Sequence, residues 1–363
     1  MYFLEAWNFL EPRLITKALE ETVLPKDEQE DYDLVQFKNS RVIRSESKVL
    51  QQIENILKKT RRYKSEGYES FQMEHLEGYS LSRFYVKQNH VIGLRISYTD
   101  LDYFPEFICS LQHLTVLILD DNNIKEIPES IGNLDSLKIL DLSGNKITHI
   151  PDSIQNLISI EMLNLSKNEL KTVPRSLSNL RSLKKLLLWE NKLKQIPESL
   201  CDLNSLLYLG LKGNNILNLP KNVKYLYNLI GLDIGHFNLK KIPSEIGLIT
   251  SLLSLELRFK DSSAIPESIG NCKSLHWLIL QGDTITTLPN SLSNLKSLGE
   301  MILETKNNAM FPEQLLLLES IERIYMIGEM VKAYSDDSDL DEKTKQIRRE
   351  LIKRDVDLNL SMC

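Results

Sequence analysis

The sequence has few cysteines, and their placement argues against two kinds of site. The four cysteines lie far apart along 363 residues. They show neither the close spacing of a metal site nor the density of a disulfide-stapled secreted domain. This usage favours a reducing compartment, and we expect a cytoplasmic protein. Residues 1–10 have no positive segment ahead of their apolar run, so they do not resemble a secretory signal.

Long hydrophobic runs and an excess of positive charge are also absent. No stretch of about 18 uncharged apolar residues is available to cross a membrane. The net charge is −6 and charged residues make up 26% of the chain, so no basic excess points to nucleic acid. We therefore expect neither a membrane span nor a nucleic-acid partner.

Catalytic and cofactor signatures are missing as well. No glycine is followed by lysine and then serine or threonine, as a P-loop requires, and the six histidines show no metal-ligand spacing. The one dense basic run, at Lys58, Lys59, Arg61, Arg62 and Lys64, is better explained by a helix carboxyl terminus than by an anionic ligand. We predict no enzyme activity, no catalytic residue, no metal and no cofactor.

Proline, in contrast, recurs with a fixed period. Ten of the twelve prolines follow one another at intervals of 23 residues, from Pro105 to Pro312, without an insertion or a deletion. Each lies in the pattern LxxLxLxxNxLxxLPxxIxxL, and Leu137 to Leu157 is a clean copy. A unit of this length cannot bury its apolar side alone, so successive copies must stack on one another.

Each repeat has a segment in which inward and outward residues alternate, followed by a turn. Leu140 and Leu142 lie between polar or outward positions, a period of two that predicts a short strand with both leucines inward. Pro151 suits the corner that follows, and Ile154 begins a three-residue spacing typical of one short helical or 3-10 segment. Stacked coils place the strands in one parallel sheet. We predict an α/β solenoid, a horseshoe with the sheet on its concave side and the 3-10 segments on its convex side.

These residues resemble the leucine-rich-repeat family over about Val91 to Tyr334, with ten repeats and a partial eleventh at Ile324 to Tyr334. The LPxxIxxLxxL form is similar to the intracellular class found in Ras-associated scaffold proteins. That resemblance implies a scaffold or adaptor in intracellular signalling. Its partner would be a protein, a small GTPase or another signalling protein, bound on the concave face.

The resemblance also implies a ladder of asparagines, six positions before each proline, that hydrogen-bond the backbone of adjacent coils. The matching residues are Asn122, Asn145, Asn168, Asn191 and Asn214. The later repeats have Phe237, Lys260, Asp283 and Lys306 at this position. Lysine cannot accept a hydrogen bond and phenylalanine can neither donate nor accept one. We therefore expect the ladder to stop and the turns after Leu232 to be looser or displaced.

The two ends of the stack need covering, because an open solenoid exposes its core. We assign residues 1–79 to a helical amino-terminal region and residues 80–96 to a hairpin that caps the stack and leads into the first repeat. The solenoid occupies residues 91–334. Residues 335–363 are predicted as an acidic linker and a short helix, which serves either as a cap or as a partner-binding tail.

The outward strand positions predict where a partner binds. In the later repeats they carry aromatic and charged side chains of the kinds that dominate protein interfaces. The predicted partner-binding residues are Lys185, Leu187, Trp189, Tyr208, Asp233, His236, Phe237, Glu256, Arg258, Phe259, Trp277, Ile279 and Tyr325.

Two other interpretations of these residues stay open. Neighbouring aromatics can simply cover one another on a sheet surface, as cross-strand pairs do. The aromatic patch can also receive a small ligand or a glycan. An enzyme site in the first 90 residues would need a nucleophile and a base, which we do not find there.

Overall fold

The computed structural model describes residues 10–22, 34–37, 40–60, 82–239, 242–261, 265–285, 287–305, 312–327 and 342–361. The chain divides into two compact units, Met1–Leu186 (unit 1) and Leu187–Cys363 (unit 2). Both units consist mainly of 23-residue coils, each with one strand and one 3-10 helix.

Unit 1 begins with two helices and a small hairpin. The elements are α1 (Leu10–Glu20), β1 (Leu34–Phe37), β2 (Ser40–Ile43) and α2 (Arg44–Leu57), with β1 and β2 antiparallel. Helix α2 buries Val49, Leu50, Ile53 and Leu57, an apolar stripe at helical spacing. The prediction of a helical region over residues 1–79 missed the hairpin, because strands of four residues leave too short an alternation to detect. Arg61, Arg62 and Lys64 of the basic run lie outside the described residues.

A second hairpin leads into the repeats. It consists of β3 (Ser82–Lys87) and β4 (His90–Ile96), and its turn residues Gln88 and Asn89 both have positive φ, as tight hairpin turns require. The Glu46 carboxylate of α2 accepts a hydrogen bond of 2.6 Å from Val91 N. Lys87 Nζ donates to the carbonyl oxygens of Glu20 and Thr22 at 2.9 and 2.8 Å. Both helices are thereby attached to the hairpin.

The remaining strands of unit 1 are short and parallel. They are β5 (Val116–Ile118), β6 (Ile139–Asp141), β7 (Met162–Asn164) and, at the boundary of the two units, β8 (Lys185–Leu187). Adjacent strands are offset by one repeat, so that Leu117 pairs with Leu140 and Leu140 with Leu163. The 3-10 helices that follow the prolines are Glu106–Ser110, Glu129–Asn133, Asp152–Asn156 and Arg175–Asn179.

Unit 2 has the same order of elements, and its strands after the first one are longer. The strands are β9 (Tyr208–Gly210), β10 (Gly231–Leu239), β11 (Ser254–Asp261), β12 (Trp277–Thr284), β13 (Glu300–Thr305) and β14 (Arg323–Ile327), each parallel to the next. Its 3-10 helices are Glu198–Asp202, Lys221–Tyr225, Ser244–Leu248, Glu267–Asn271, Asn290–Asn294 and Glu313–Leu317.

The last described residues pack on the final repeat. They form helix α3 (Glu342–Lys353) and strand β15 (Asp357–Ser361). Helix α3 buries Ile347 and Leu351 and contacts the 3-10 helix Glu313–Leu317. Strand β15 pairs in parallel with β14 and extends the sheet by one strand. The sequence analysis predicts the helix but not this strand, which is only five residues long.

The asparagines hydrogen-bond backbone groups at the turns, and Asn122, Asn145, Asn168 and Asn214 also bond the preceding coil. Asn145 Nδ2 donates to the oxygens of Leu119 and Leu142 at 2.9 and 3.0 Å, and Asn145 Oδ1 accepts from Ile124 N at 3.0 Å. Asn214 Nδ2 likewise donates to Leu188 O and Leu211 O. These bonds satisfy backbone groups that the turn leaves unpaired inside the stack.

Where the asparagines end, the strands lengthen. Strands β5 to β9 have three residues each, whereas β10 has nine and β11 and β12 have eight. Backbone pairing between β11 and β12 runs as far as Asp261 and Thr284, beyond the position where the earlier coils turn. Strand β10 also has a register shift between Ile234 and Leu239. The turns are therefore displaced, and strand hydrogen bonds replace those of the asparagine side chains.

Candidate functional site

The outer face of unit 2, the side opposite the inward leucines, carries three rows of side chains set by the parallel register. The first row is Tyr208, Gly231, Ser254, Trp277, Glu300 and Arg323. The central row is Gly210, Asp233, Glu256, Ile279, Ile302 and Tyr325. The third row is Lys212, Gly235, Arg258, Gln281, Glu304 and Ile327. Neighbours within a row are separated by one strand spacing, about 4.8 Å.

Two aromatic side chains lie over glycines of the next coil. A Cβ atom on Gly210 would stand 2.0 Å from Trp189 Nε1, and one on Gly231 would stand 2.4 Å from Tyr208 Cδ2. The two rings contact each other edge to face, with centroids 6.3 Å apart. Tyr208 is only 2% exposed. Trp189 and Tyr208 thus cover the sheet surface, as the cross-strand interpretation of the aromatics describes.

Next to these rings, two carboxylates are buried side by side. Asp233 and Glu256 are paired in register on β10 and β11, and each is 3% exposed. Lys212 Nζ lies 3.0 Å from Glu256 Oε1. Asp233 Oδ1 accepts a hydrogen bond of 3.0 Å from Gly235 N, whereas Asp233 Oδ2 has no hydrogen-bond partner among the described residues. A Cβ on Gly235 would stand 2.3 Å from Glu256 Oε1, so any other residue there would require the Glu256 side chain to move.

Burial and charge shift the ionisation of this cluster. Desolvation, followed by repulsion from Glu256, raises the pKa of Asp233 to about 7. Burial opposes the charge of Lys212, but attraction to Glu256 and Asp233 outweighs it and raises the Lys212 pKa. Burial also raises the pKa of Tyr208, and both carboxylates add to that rise. A single ammonium group, that of Lys212, faces Glu256, Asp233 and Glu304, so negative charge is in excess around it.

Farther along the same face, four large side chains remain half-buried: Trp277, Ile279, Ile302 and Tyr325. We call these four residues the apolar strip. Ile279, Ile302 and Tyr325 are direct neighbours in the central row. Polar pairs border the strip on both sides, Glu300 with Arg323 in the first row and Gln281 with Glu304 in the third.

The structure separates the predicted site residues into groups. Lys185, Leu187, Tyr208, Asp233, Glu256 and Phe259 are buried. Trp189, Arg258, Trp277, Ile279 and Tyr325 are half-buried. The side chains of His236 and Phe237 lie outside the described residues. Direct access to solvent is therefore confined to fewer predicted residues than the outward pattern indicates.

Phe259 requires a correction. Strand β11 continues past the position where the earlier coils turn, so its alternation places Leu255, Leu257 and Phe259 on the inner side. Phe259 is 2% exposed, and its ring lies 2.9 Å from where a Cβ on Gly282 would stand. Phe259 is thus a core residue and does not belong to an outer surface.

Sequence reasoning omitted two residues of this face from the predicted site. Lys212 lies 23 residues after Trp189, and Ile302 lies 23 residues after Ile279. The repeat period alone could have placed both on the outer face. The covering role of Trp189 and Tyr208 also had a signal, because Gly210 and Gly231 leave empty space at outward positions of the next coil.

Comparison with known proteins agrees with the repeat architecture. Residues 70–206 match the family model described as leucine-rich repeat region. The repeated strand and 3-10 units of the parallel sheet agree with this match, and the chain has the leucine-rich-repeat solenoid fold. Proteins of this family generally serve as binding scaffolds rather than as enzymes. No curated protein matches the chain.

Several solved structures share the solenoid fold. The Arabidopsis receptor kinase HAESA, in complex with the peptide hormone IDA and the co-receptor SERK1, is 23% identical with a TM-score of 0.63, covering 88% of this chain and 54% of that one. An internalin of Listeria monocytogenes is 18% identical with a TM-score of 0.54, covering 75% and 82%. A leucine-rich-repeat protein of Leptospira interrogans is 26% identical with a TM-score of 0.47, covering 73% and 82%.

This likeness concerns the fold. The chain spans between 41% and 54% of the length of the plant receptor chains it matches. No helix in the described ranges has the length and apolar character needed to cross a membrane. Within those same ranges, no group of three or more His, Cys, Asp or Glu residues is arranged to hold a metal ion.

Proposed function

We propose that this protein is a non-catalytic scaffold or adaptor that binds a protein partner through the apolar strip of unit 2. The observation that carries the proposal is the strip itself, in which four large side chains stay half-buried side by side. Aromatic and large aliphatic residues with a polar border are typical of the centre of a protein interface. In unit 1, by contrast, Ile118 on the outer side of β5 is only 4% exposed.

The class and location of the partner extend this proposal. A small GTPase or another intracellular signalling protein is the partner that the resemblance to Ras-associated scaffolds implies. A cytoplasmic location is supported by Cys109, Cys201 and Cys272, which are buried free thiols. The HAESA complex supports a peptide or protein as the kind of partner that this fold receives.

A receptor for a small ligand or a glycan is the alternative. Such ligands prefer enclosed pockets with convergent polar groups. A cavity of about 500 Å³ is lined by residues of unit 1, among them Ile56, Lys59 and Tyr103, and by no residue of the apolar strip. The strip is an open row on a sheet, and this geometry favours a protein.

A matched pair of variants tests the proposal. Ile302→Asp places a charge in the strip, and Ile158→Asp makes the same change at a residue that is 63% exposed elsewhere. Both proteins and the unchanged chain serve as bait in a lysate of the cells that express it, and bound proteins are quantified by mass spectrometry. We expect the Ile302 variant alone to lose its specific partners.

The proposal would be wrong if the Ile302 variant, folded as judged by its urea midpoint, retained the same partners as the Ile158 variant. Trp277→Ala serves as a second variant in case Ile302→Asp unfolds the chain. Loss of partners in the Ile158 variant as well would show that the effect is not specific to the strip and would contradict the proposal.

A further inference from the structure

The buried carboxylates beside the apolar strip suggest what the partner contributes. Taking the proposed function as the premise, we propose that Asp233 and Glu256, with the Trp189 indole beside them, form a binding site for an organic cation. The cation is the guanidinium or ammonium group of a basic side chain on the partner protein.

Negative charge exceeds positive charge among Asp233, Glu256 and Lys212. Asp233 and Glu256 are both 3% exposed, and the Lys212 ammonium lies 3.0 Å from Glu256 Oε1. Burying a carboxylate without a compensating cation is costly, because the low dielectric interior penalises the charged form. Among the described residues, Lys212 is the cation that acts on Asp233, and it also pairs with Glu256, so Asp233 shares its counter-charge. A second cation from outside would balance the remaining negative charge.

One hydrogen-bond acceptor of the carboxylate pair has no donor among the described residues. Asp233 Oδ2 is buried and has no hydrogen-bond partner among the described residues, although its sister oxygen accepts from Gly235 N. Buried polar atoms in native proteins are normally paired, so an unpaired carboxylate oxygen points to a missing donor. A guanidinium or ammonium group offers donors and charge together.

An aromatic side chain covers the strand next to Asp233. The Trp189 indole lies over Gly210, and Gly210 is the register partner of Asp233 on the adjacent strand. The indole and the carboxylate therefore stand next to each other. An aromatic ring beside a carboxylate suits an organic cation, which can pair with the carboxylate and lie against the ring at once. Trp189 is half-buried, although its Nε1 is buried.

The site is also continuous with the apolar strip. Asp233, Glu256, Ile279, Ile302 and Tyr325 are consecutive in the central row. From Asp233 to Tyr325 the row crosses four strand spacings, about 19 Å, which an extended segment of about six residues can span. The partner segment that fits this row has a basic residue at one end and apolar residues after it.

The test uses the full chain with 15N-labelled tryptophan. The sequence has three tryptophans, so three indole resonances are expected, and Trp189→Phe identifies the one of interest. The probes are N-acetylarginine methylamide and N-acetyllysine methylamide, titrated separately. We expect a saturable shift of the Trp189 resonance, and we expect Asp233→Asn to weaken the binding by at least about tenfold. Asp135→Asn, the same change at an exposed carboxylate, should have no effect.

A pH comparison isolates the ionisation of Asp233. The charged groups that face it are Lys212, Tyr208 and Glu256, with Glu304 facing Lys212. Because the cation needs the ionised carboxylate, affinity should be higher at pH 8 than at pH 6. That difference should disappear in Asp233→Asn, and a difference of the same size in this variant would assign the titration to another group.

Three outcomes would overturn the proposal: no saturable shift with either probe, equal affinity in Asp233→Asn, or a shift produced by calcium chloride at lower concentration than by the probes. The Ile302→Asp variant separates the two proposals. It should bind the probes as the unchanged chain does, even though it loses the partner. A chain that captures its partner but binds neither probe contradicts only the cation site.

Discussion

At the turns of the early coils, a single side chain can hydrogen-bond backbone groups of two successive coils. Asn168 Oδ1 accepts from Ile147 N at 2.9 Å, and its Nδ2 donates to Leu142 O at 2.9 Å and to Leu165 O at 3.1 Å. One amide thus satisfies backbone groups of two coils. An asparagine side chain offers a donor pair and an acceptor together, and the resemblance to the leucine-rich-repeat family is what identified this position from the sequence.

Asn168→Ala should therefore be strongly destabilising. It removes the acceptor of the buried Ile147 N and a donor to Leu142 O and to Leu165 O. A buried backbone group left without its partner costs about 1–3 kcal/mol, so the free energy of unfolding should fall by about that amount. Urea unfolding followed by circular dichroism measures the change. Asn204→Ala, at an exposed asparagine, is the control and should change the midpoint little. Equal effects of the two substitutions would mean that the ladder does not stabilise the stack.

Asp233 should make stability depend on pH in the direction opposite to most carboxylates. Its pKa is raised from 3.8 to about 7, so the folded chain holds the proton more tightly than the unfolded chain. The stabilisation from this protonated carboxyl is complete below about pH 4 and is lost as the pH rises through about 7. Asp233→Asn, which never ionises, should be more stable than the unchanged chain at pH 8 by roughly 2–4 kcal/mol.

Urea midpoints at pH 5 and pH 8 test this expectation. The stability advantage of Asp233→Asn over the unchanged chain should grow from pH 5 to pH 8. The urea midpoint of Asp135→Asn should change with pH as that of the unchanged chain does. A gain in stability on removing the charge is the behaviour of a residue retained for binding. An advantage that shrinks with rising pH would contradict the direction of the pKa shift.

The repeat pattern predicts where each strand begins, but it does not predict how long the later strands are. The inward leucines and the prolines place every coil, and their positions could be predicted from the sequence. The loss of asparagine at Phe237, Lys260 and Asp283 predicted that the turns would change. It could not show that the strands would continue, because the choice between a loose loop and extra strand pairing depends on neighbouring coils changing together. The side of the sheet on which Phe259 lies depends on that choice.

The inward position of Phe259 predicts a large loss of stability when its ring is removed. Phe259→Ala empties a core position and should cost about 3–5 kcal/mol of unfolding free energy. Leu248→Ala removes a side chain that is 57% exposed and should cost well under about 1 kcal/mol. Chemical denaturation of both variants makes the comparison. If Phe259→Ala lowered the free energy of unfolding only slightly, the assignment of Phe259 to the core would be wrong.

The molecule as a whole depends on contacts between successive coils, because each coil completes its core with its neighbours. Cys109, Cys201 and Cys272 lie in three different coils and are buried in that core. Burial raises the pKa of Cys109 and Cys272 to about 11 and that of Cys201 to about 12. All three are therefore held as unreactive thiols while the coils stay packed.

Alkylation tests the packing of both units at once. In a Cys363→Ser background, iodoacetamide at pH 8 should label none of the three thiols of the native chain and all three in denaturing urea. Peptide mass spectrometry across the urea series gives an opening midpoint for Cys109 in unit 1 and for Cys201 and Cys272 in unit 2. Rapid labelling of any of them in native buffer would show that its coil is open.

The 23-residue spacing of the prolines survives the change from three-residue to eight-residue strands. Coils that differ in strand length therefore begin and end in the same phase. The length of the repeat stays constant while the strand and its outward side chains vary, so the outer surface differs from coil to coil on an unchanged repeat.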